Sequence, residues 1–345
     1  MNESNDIKLT IAIPTRNRCE SLKKVVNEVC NRVMVEDAVN KVKILVVDDS
    51  SSEDNTKAYI QSLMKDYIFL SYYCVDDLGF DYKLLKCFEL SDSKYVWVIN
   101  DHSSMFSGVI TPILDSIAKA DYWYIFAPTK GDLKNAQKVN LISNKSLGFI
   151  NTVLNTSIFN RDRLIPYYKK YLQYYDNSWL VFQIANLDML FDNLQSETLL
   201  LQFECTEYGK YMDLERKKNT WGANWNNYIR TGYNGAKLLE DIKRKYSISD
   251  AFYNKIFNRR DWGIGACMNY IKLRRHGNII EMRTAEVITG HPTYNNIEKF
   301  IITGALRKEH KWQVIYKSIL VVYILLYAPS QYRRILNKLI QKIVN

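Results

Sequence analysis

The chain has 345 residues, 47% of them hydrophobic, enough to bury a full core in one large domain with room for an appendage. Its six cysteines (Cys19, Cys30, Cys74, Cys87, Cys205 and Cys267) lack Cys-x-x-Cys spacing, which excludes a zinc ribbon or a disulfide scaffold and reads as reduced, mostly buried thiols. A net charge of +10 calls for an anionic partner, and nine basic residues against Glu309 alone lie between Lys299 and Asn345.

Met1 to Lys8 is polar and the apolar run that follows is too short for a signal peptide, so the expected location is cytoplasmic. Leu9 to Ile13 (LTIAI) reads as a buried strand ending at Pro14, and Thr15 to Arg18 leads into a helix with apolar Leu22, Val25, Val26 and Val29. Lys43 to Val47 is the next strand; Asp48, Asp49 and a serine-rich turn to Asn55 precede a helix through Tyr59 and Leu63. A third strand, Ile68 to Cys74, gives way to Asp76, Asp77 and Gly79 and a helix around Leu84 to Leu90. The fourth, Tyr95 to Ile99, runs into Asn100-Asp101-His102. Tyr122 to Ala127 is a further strand, followed by a polar loop from Thr129 to Asn140, a helix over Ser178 to Phe191 led by Asp176-Asn177, and a last strand, Leu199 to Phe203. Beyond about Glu215 the pattern is helical and basic.

Strands alternating with amphipathic helices predict a doubly wound α/β sheet. Such sheets bind ligands outside the carboxyl ends of their strands, an edge that here collects Thr15 to Arg18, Asp48, Asp49, Asp76, Asp77 and Asp101. Any one of these aspartates suits a turn or helix cap. Four such loops in succession point to a site.

Four segments in order carry a family resemblance: LTIAIPTRNR (Leu9–Arg18), ILVVDDSSSEDNT (Ile44–Thr56), Gly79 to Lys83, and YVWVINDH (Tyr95–His102). Together they resemble the family 2 glycosyltransferases of bacterial polysaccharide synthesis. The tryptophan of YVWV is similar to the abequosyltransferase-like branch of O-antigen and capsule enzymes. The resemblance implies the GT-A fold, a Rossmann-like and mostly parallel sheet with helices on both faces, followed here by a helical C-terminal region. With the helical, basic pattern beyond it, the expected organisation is residues 1–215 as the catalytic domain, 216–300 as an acceptor-side helical region, and 301–345 as a membrane-associating or packing tail.

The same resemblance assigns nucleotide-sugar contacts to Pro14, Thr15, Arg16, Asn17, Asp48, Asp49, Asp77, Lys83, Asn100 and Asp101, with Asp49 and Asp48 on base and ribose. At the family's Asp-x-Asp position this chain reads Ile99-Asn100-Asp101, leaving Asp101 as the carboxylate expected to meet a divalent cation, manganese or magnesium. His102 is the candidate supplementary ligand. An inverting transfer needs a general base for the acceptor hydroxyl. Asp176 is the first candidate, Asp188 the second, and Glu204 and Glu207 follow. The expected acceptor is a glycan, lipid-linked in many polysaccharide pathways.

Ser318 to Ala328 (SILVVYILLYA) is apolar between basic flanks. As a helix it spans about 16 Å, half the ~30 Å of a bilayer core, so it suits an anionic membrane surface, at the inner face, or packing on protein, but not crossing. A sugar-nucleotide pyrophosphorylase would carry a glycine-rich loop in place of Pro14-Thr15-Arg16-Asn17. A nucleic-acid binder would not gather its basic excess beside an apolar tail. A non-catalytic binding protein with an incomplete Asp-x-Asp motif is the main alternative.

Overall fold

The computed structural model describes residues 7–49, 54–76, 79–117, 122–125, 134–138, 157–175, 181–192, 198–202, 205–207, 210–211, 214, 241–249, 315, 318–319 and 322. The chain divides into two compact units, Met1–Thr220 and Trp221–Asn345.

The first unit opens with β1 (Leu9–Thr15), buried along its whole length, then α1 (Cys19–Val35) and β2 (Val42–Asp49). Next come α2 (Thr56–Leu63), β3 (Leu70–Val75), α3 (Phe80–Glu89) and β4 (Tyr95–Val98). β5 (Ser104–Met105), α4 (Ile110–Ile117), β6 (Tyr122–Ile125) and β7 (Lys134–Lys138) follow. β8 (Ser157–Asn160), α5 (Arg161–Tyr175), α6 (Val181–Asp192), β9 (Thr198–Gln202) and β10 (Thr206–Glu207) complete it.

Eight strands form one sheet in the order β3-β2-β1-β4-β8-β6-β9-β7, and β5 pairs with β10 apart from it. β3, β2, β1 and β4 are mutually parallel. β8 runs against both β4 and β6, and β7 runs against β9, so the mostly parallel sheet anticipated from the sequence carries two reversed strands.

Alternate residues of each strand face opposite layers. Leu9, Ile11 and Ile13 of β1, Ile44 and Val46 of β2, and Trp97 of β4 pack with Val25, Val26 and Val29 of α1, Ile60 of α2 and Ile113 of α4. The opposite face holds an aromatic cluster in which Phe159 of β8 meets Phe88 of α3 at 5.9 Å and Phe182 of α6 at 5.1 Å, both edge to face. Tyr168 of α5 adds a fully buried ring beside Phe88. Helices thus cover both faces, and Trp97 is a core residue.

The structure moves several boundaries. β2 runs on through Asp48 and Asp49, so the aspartates end the strand and do not belong to the turn after it. β3 begins at Leu70, where its pairing with Ile44 of β2 starts, and Ile68 before it is 93% exposed. The polar segment read as a loop contains β7, an edge strand, and β5, β8 and α4 lie where no element was anticipated. The described part of α6 begins at Val181; Asp176 and the rest of 176–180 lie outside the described residues, as do Asp77 and Glu204.

In the second unit residues 241–245 are helical, closed by Ser247 in the left-handed region (φ 50°). Ile242 is buried there. Ile315, Ser318, Ile319 and Val322 are helical as well, and Ile315 and Val322 are exposed. Most of the apolar tail lies outside the described residues. Among the described residues no helix is long and apolar enough to cross a membrane.

Candidate functional site

β1 lies where the sheet's connections reverse, with β2 and β3 to one side and β4 to the other. That reversal opens a crevice at the carboxyl ends of β1 and β4. β1 and β4 pair only from Leu9–Tyr95 to Ala12–Val98, with Ile99 N donating to the Ala12 carbonyl just beyond. Pro14 has the same parity as Ala12, so its missing N–H points to the side that β4 has left and costs no ladder bond. Asn17 takes a left-handed conformation (φ 52°) that asparagine tolerates better than most residues, turning the chain so that Arg18 enters α1.

Asp101 is the centre of the crevice. It is 3% exposed, its Oδ2 accepts from Thr15 Oγ1 at 2.9 Å, and its Oδ1 lies 3.0 Å from both Arg18 Nη1 and His102 Nδ1. Burial pushes its carboxyl upward, but the His102 hydrogen bond and the charges of Arg18, His102 and Lys83 outweigh burial and hold it at about 2.

Lys83, on the first turn of α3, reaches across to the Thr15 carbonyl at 3.3 Å and to Asp49 Oδ2 at 3.8 Å. Burial pulls its ammonium pKa down, against the opposing pull of Asp49 and Asp101. Arg16 Nη1 lies 3.7 Å from the same Asp49 oxygen. Asp48 is fully buried and accepts from Tyr72 Oη of β3 at 2.7 Å; burial and this bond raise the tyrosine's pKa.

The structure therefore brings together Pro14, Thr15, Arg16, Asn17, Asp49, Lys83, Asn100, Asp101 and His102, with Asp48 turned to Tyr72. Two contributors lie outside the residues assigned to nucleotide-sugar contact, although the sequence places Arg18 on the ligand edge. Arg18 closes on Asp101, and Asp54 accepts from Cys19 N at 2.9 Å and Thr56 N at 3.0 Å, tying the starts of α1 and α2 together. The serine-rich turn after β2 was the available signal for Asp54. Among the described residues no group of three metal-ligating side chains occurs.

Asp188 is held by the neighbouring helix. It is fully buried on α6, where its Oδ2 takes Lys170 Nζ at 2.9 Å and Tyr171 Oη at 2.8 Å, both from α5. In that position it joins two helices. The backbone of Glu207 pairs with Ser104, three residues after Asp101, and Tyr211 N donates to the His102 carbonyl, so residues 206–207 and Tyr211 border the loop that carries Asp101.

A switch-point crevice lined by strand-end carboxylates and helix-borne cations defines a nucleotide-binding α/β domain. The sequence profile of glycosyl transferase family 2 matches residues 10–182, and the chain belongs to that family: it is a glycosyltransferase that draws on a nucleotide sugar. Comparison with curated proteins gives no significant match. The fold is similar to that of S. aureus TarS residues 1–349, with a TM-score of 0.59 at 11% identity over 92% of this chain and 90% of that one. The same TarS fragment in complex with UDP-GlcNAc superposes with a TM-score of 0.56, at 11% identity and the same coverage. A longer TarS chain gives 0.52 at 11% identity over 91% of this chain and 55% of that one.

Proposed function

We propose that this glycosyltransferase moves a sugar from a nucleoside diphosphate donor to a hydroxyl of a glycan or lipid-linked acceptor, with inversion at the anomeric carbon, in surface polysaccharide assembly. The observation that carries this reading is the gathering of Thr15, Asp49, Lys83 and Asp101 around one crevice of a family 2 domain. Asp49, with Asp48 beside it, accepts from base and ribose. The loop from Pro14 to Asn17 frames the nucleoside, and the diphosphate lies toward Arg18 and Lys83.

In the reaction the acceptor oxygen bonds to the anomeric carbon as the bond from that carbon to the diphosphate oxygen breaks. The electron pair leaves with the diphosphate, and the hydroxyl proton passes to a carboxylate, for which Asp176 is the assignment. The TarS fragment was solved with UDP-GlcNAc, which makes uridine diphosphate donors the first to test. The basic tail and the exposed Ile315 and Val322 support docking on an anionic membrane surface, the place where a lipid-linked acceptor is met.

A thermal-shift panel of UDP, GDP, CDP and dTDP and their sugars tests the reading, because a ligand that binds only the native state raises its melting temperature. A rise with one base over the others supports it. No shift with any of them contradicts it.

A further inference from the structure

The family resemblance implies a divalent cation at the Asp-x-Asp position, and the residues there do not suit one. Ile99 stands where the first carboxylate would be, and both oxygens of Asp101 are engaged by the chain's own donors: Oδ2 by Thr15, Oδ1 by Arg18 and His102. A magnesium ion on Oδ1 would sit about 2.1 Å away, and Arg18 Nη1 is 3.0 Å from that oxygen. Ion and guanidinium would therefore lie within about 5 Å of each other, and like charges at that distance repel.

The neighbouring charges lean the same way. The ion-paired set at the strand ends holds Arg16, Arg18 and Lys83 against the carboxylates of Asp49 and Asp101. With Asp48 beside Asp49 the strand-end carboxylates only match these three cations charge for charge, which leaves no surplus of carboxylate for a divalent ion. Arg18 pairs with Asp101 yet stays 30% exposed in its side chain, so it is accessible to a ligand, and its planar donor fork matches phosphate oxygens. Lys83 approaches from α3 with its side chain 10% exposed, where low dielectric strengthens its field.

We propose that the chain binds its nucleoside diphosphate donor without a divalent cation, the Arg18 guanidinium and Lys83 ammonium supplying the positive charge against the diphosphate. This rests on the donor reading above. As the bond to the anomeric carbon breaks and the diphosphate gains charge, the same two groups stabilise it in place of a metal.

Calorimetric titration of the full chain with UDP, GDP, CDP and dTDP, in EDTA and in manganese chloride, is the test. At least one diphosphate is expected to bind with the same affinity in both, within about a factor of two. Arg18→Gln and Lys83→Gln should each weaken that diphosphate about tenfold to a hundredfold, the loss of one charge-assisted hydrogen bond. The bare nucleoside should be little affected, and Arg18→Lys should recover part of the loss. Binding that requires manganese overturns the proposal and leaves the donor reading standing. No binding of any diphosphate in either buffer overturns both. Should the glutamine variants fail to fold, the wild-type comparison between EDTA and manganese decides alone.

Discussion

Arg18 and Asp101, 83 residues apart, meet at 3.0 Å across the crevice between β1 and β4. The pair joins the loop after the first strand to the loop after the fourth, and each side chain is fixed by where its strand ends. Thr15 on the same carboxylate makes Asp101 a structural knot as well as a site residue.

Acid should untie that knot. Asp101 is held at about 2 against an ordinary 3.8, so its contribution is fully present above about pH 4 and is lost as the pH falls from there toward 2. The shift corresponds to about 2 kcal/mol at neutral pH. Urea unfolding should find Asp101→Asn less stable by about that amount at pH 7, with the gap narrowing toward pH 3. A gap that stays constant would show that the charge is not what stabilises.

Asp49 is 1% exposed yet bears on two cations, Arg16 and Lys83. Asp49→Ala should weaken nucleoside binding by about 1.5–3 kcal/mol, the worth of a hydrogen bond to a charged group. Calorimetry with the preferred nucleotide and its nucleoside reads this directly; unchanged affinity would remove Asp49 from base and ribose recognition.

The two proposed bases should separate cleanly. Asp176→Asn should lower turnover by about 10² to 10⁴ while donor affinity holds, since a general base acts on the acceptor proton in the transition state. Asp188→Asn should act on folding: its partners Lys170 and Tyr171 belong to α5, and Lys170, half-exposed, can turn to water. A loss of about 1–3 kcal/mol in stability is expected there, with turnover per folded molecule little changed. The reverse pattern would exchange the two roles.

Truncation before Ser318 should release the protein from vesicles containing anionic lipid while donor hydrolysis persists. Vesicle co-sedimentation at low and high salt checks this, because attraction of basic residues to the surface is screened by salt. An insoluble truncated chain would instead mark the tail as packed structure.

The strands that build the crevice were legible in sequence. The apolar runs Leu9–Ile13, Lys43–Val47 and Tyr95–Ile99 mark β1, β2 and β4, and the residues that follow each run, from Pro14, Asp48 and Asn100, mark the strand ends and loops that carry the site. β7 was not legible, because its sequence KNAQK has no apolar alternation and its place as an edge strand is set by pairing with β9. β8 was hidden in the apolar stretch from Phe149 to Phe159, where periodicity alone does not separate strand from helix. Arg18 read as one basic residue in a polar loop. Only the register of β1 on β4 brings it to Asp101. Asp188 lay on an apolar helix pattern, and its burial against α5 depends on packing that spacing along α6 does not encode.

The most direct measurement of glycosyl transfer from a nucleotide sugar is release of nucleoside diphosphate by the purified full chain, followed with UDP-GlcNAc and with UDP-, GDP-, CDP- and dTDP-sugars as a set. Release from at least one donor, above the uncatalysed background and lowered about tenfold to a hundredfold by Asp49→Ala at donor concentrations below saturation, is the expected result. A folded chain that neither binds nor cleaves any of these donors, with or without manganese, would contradict it.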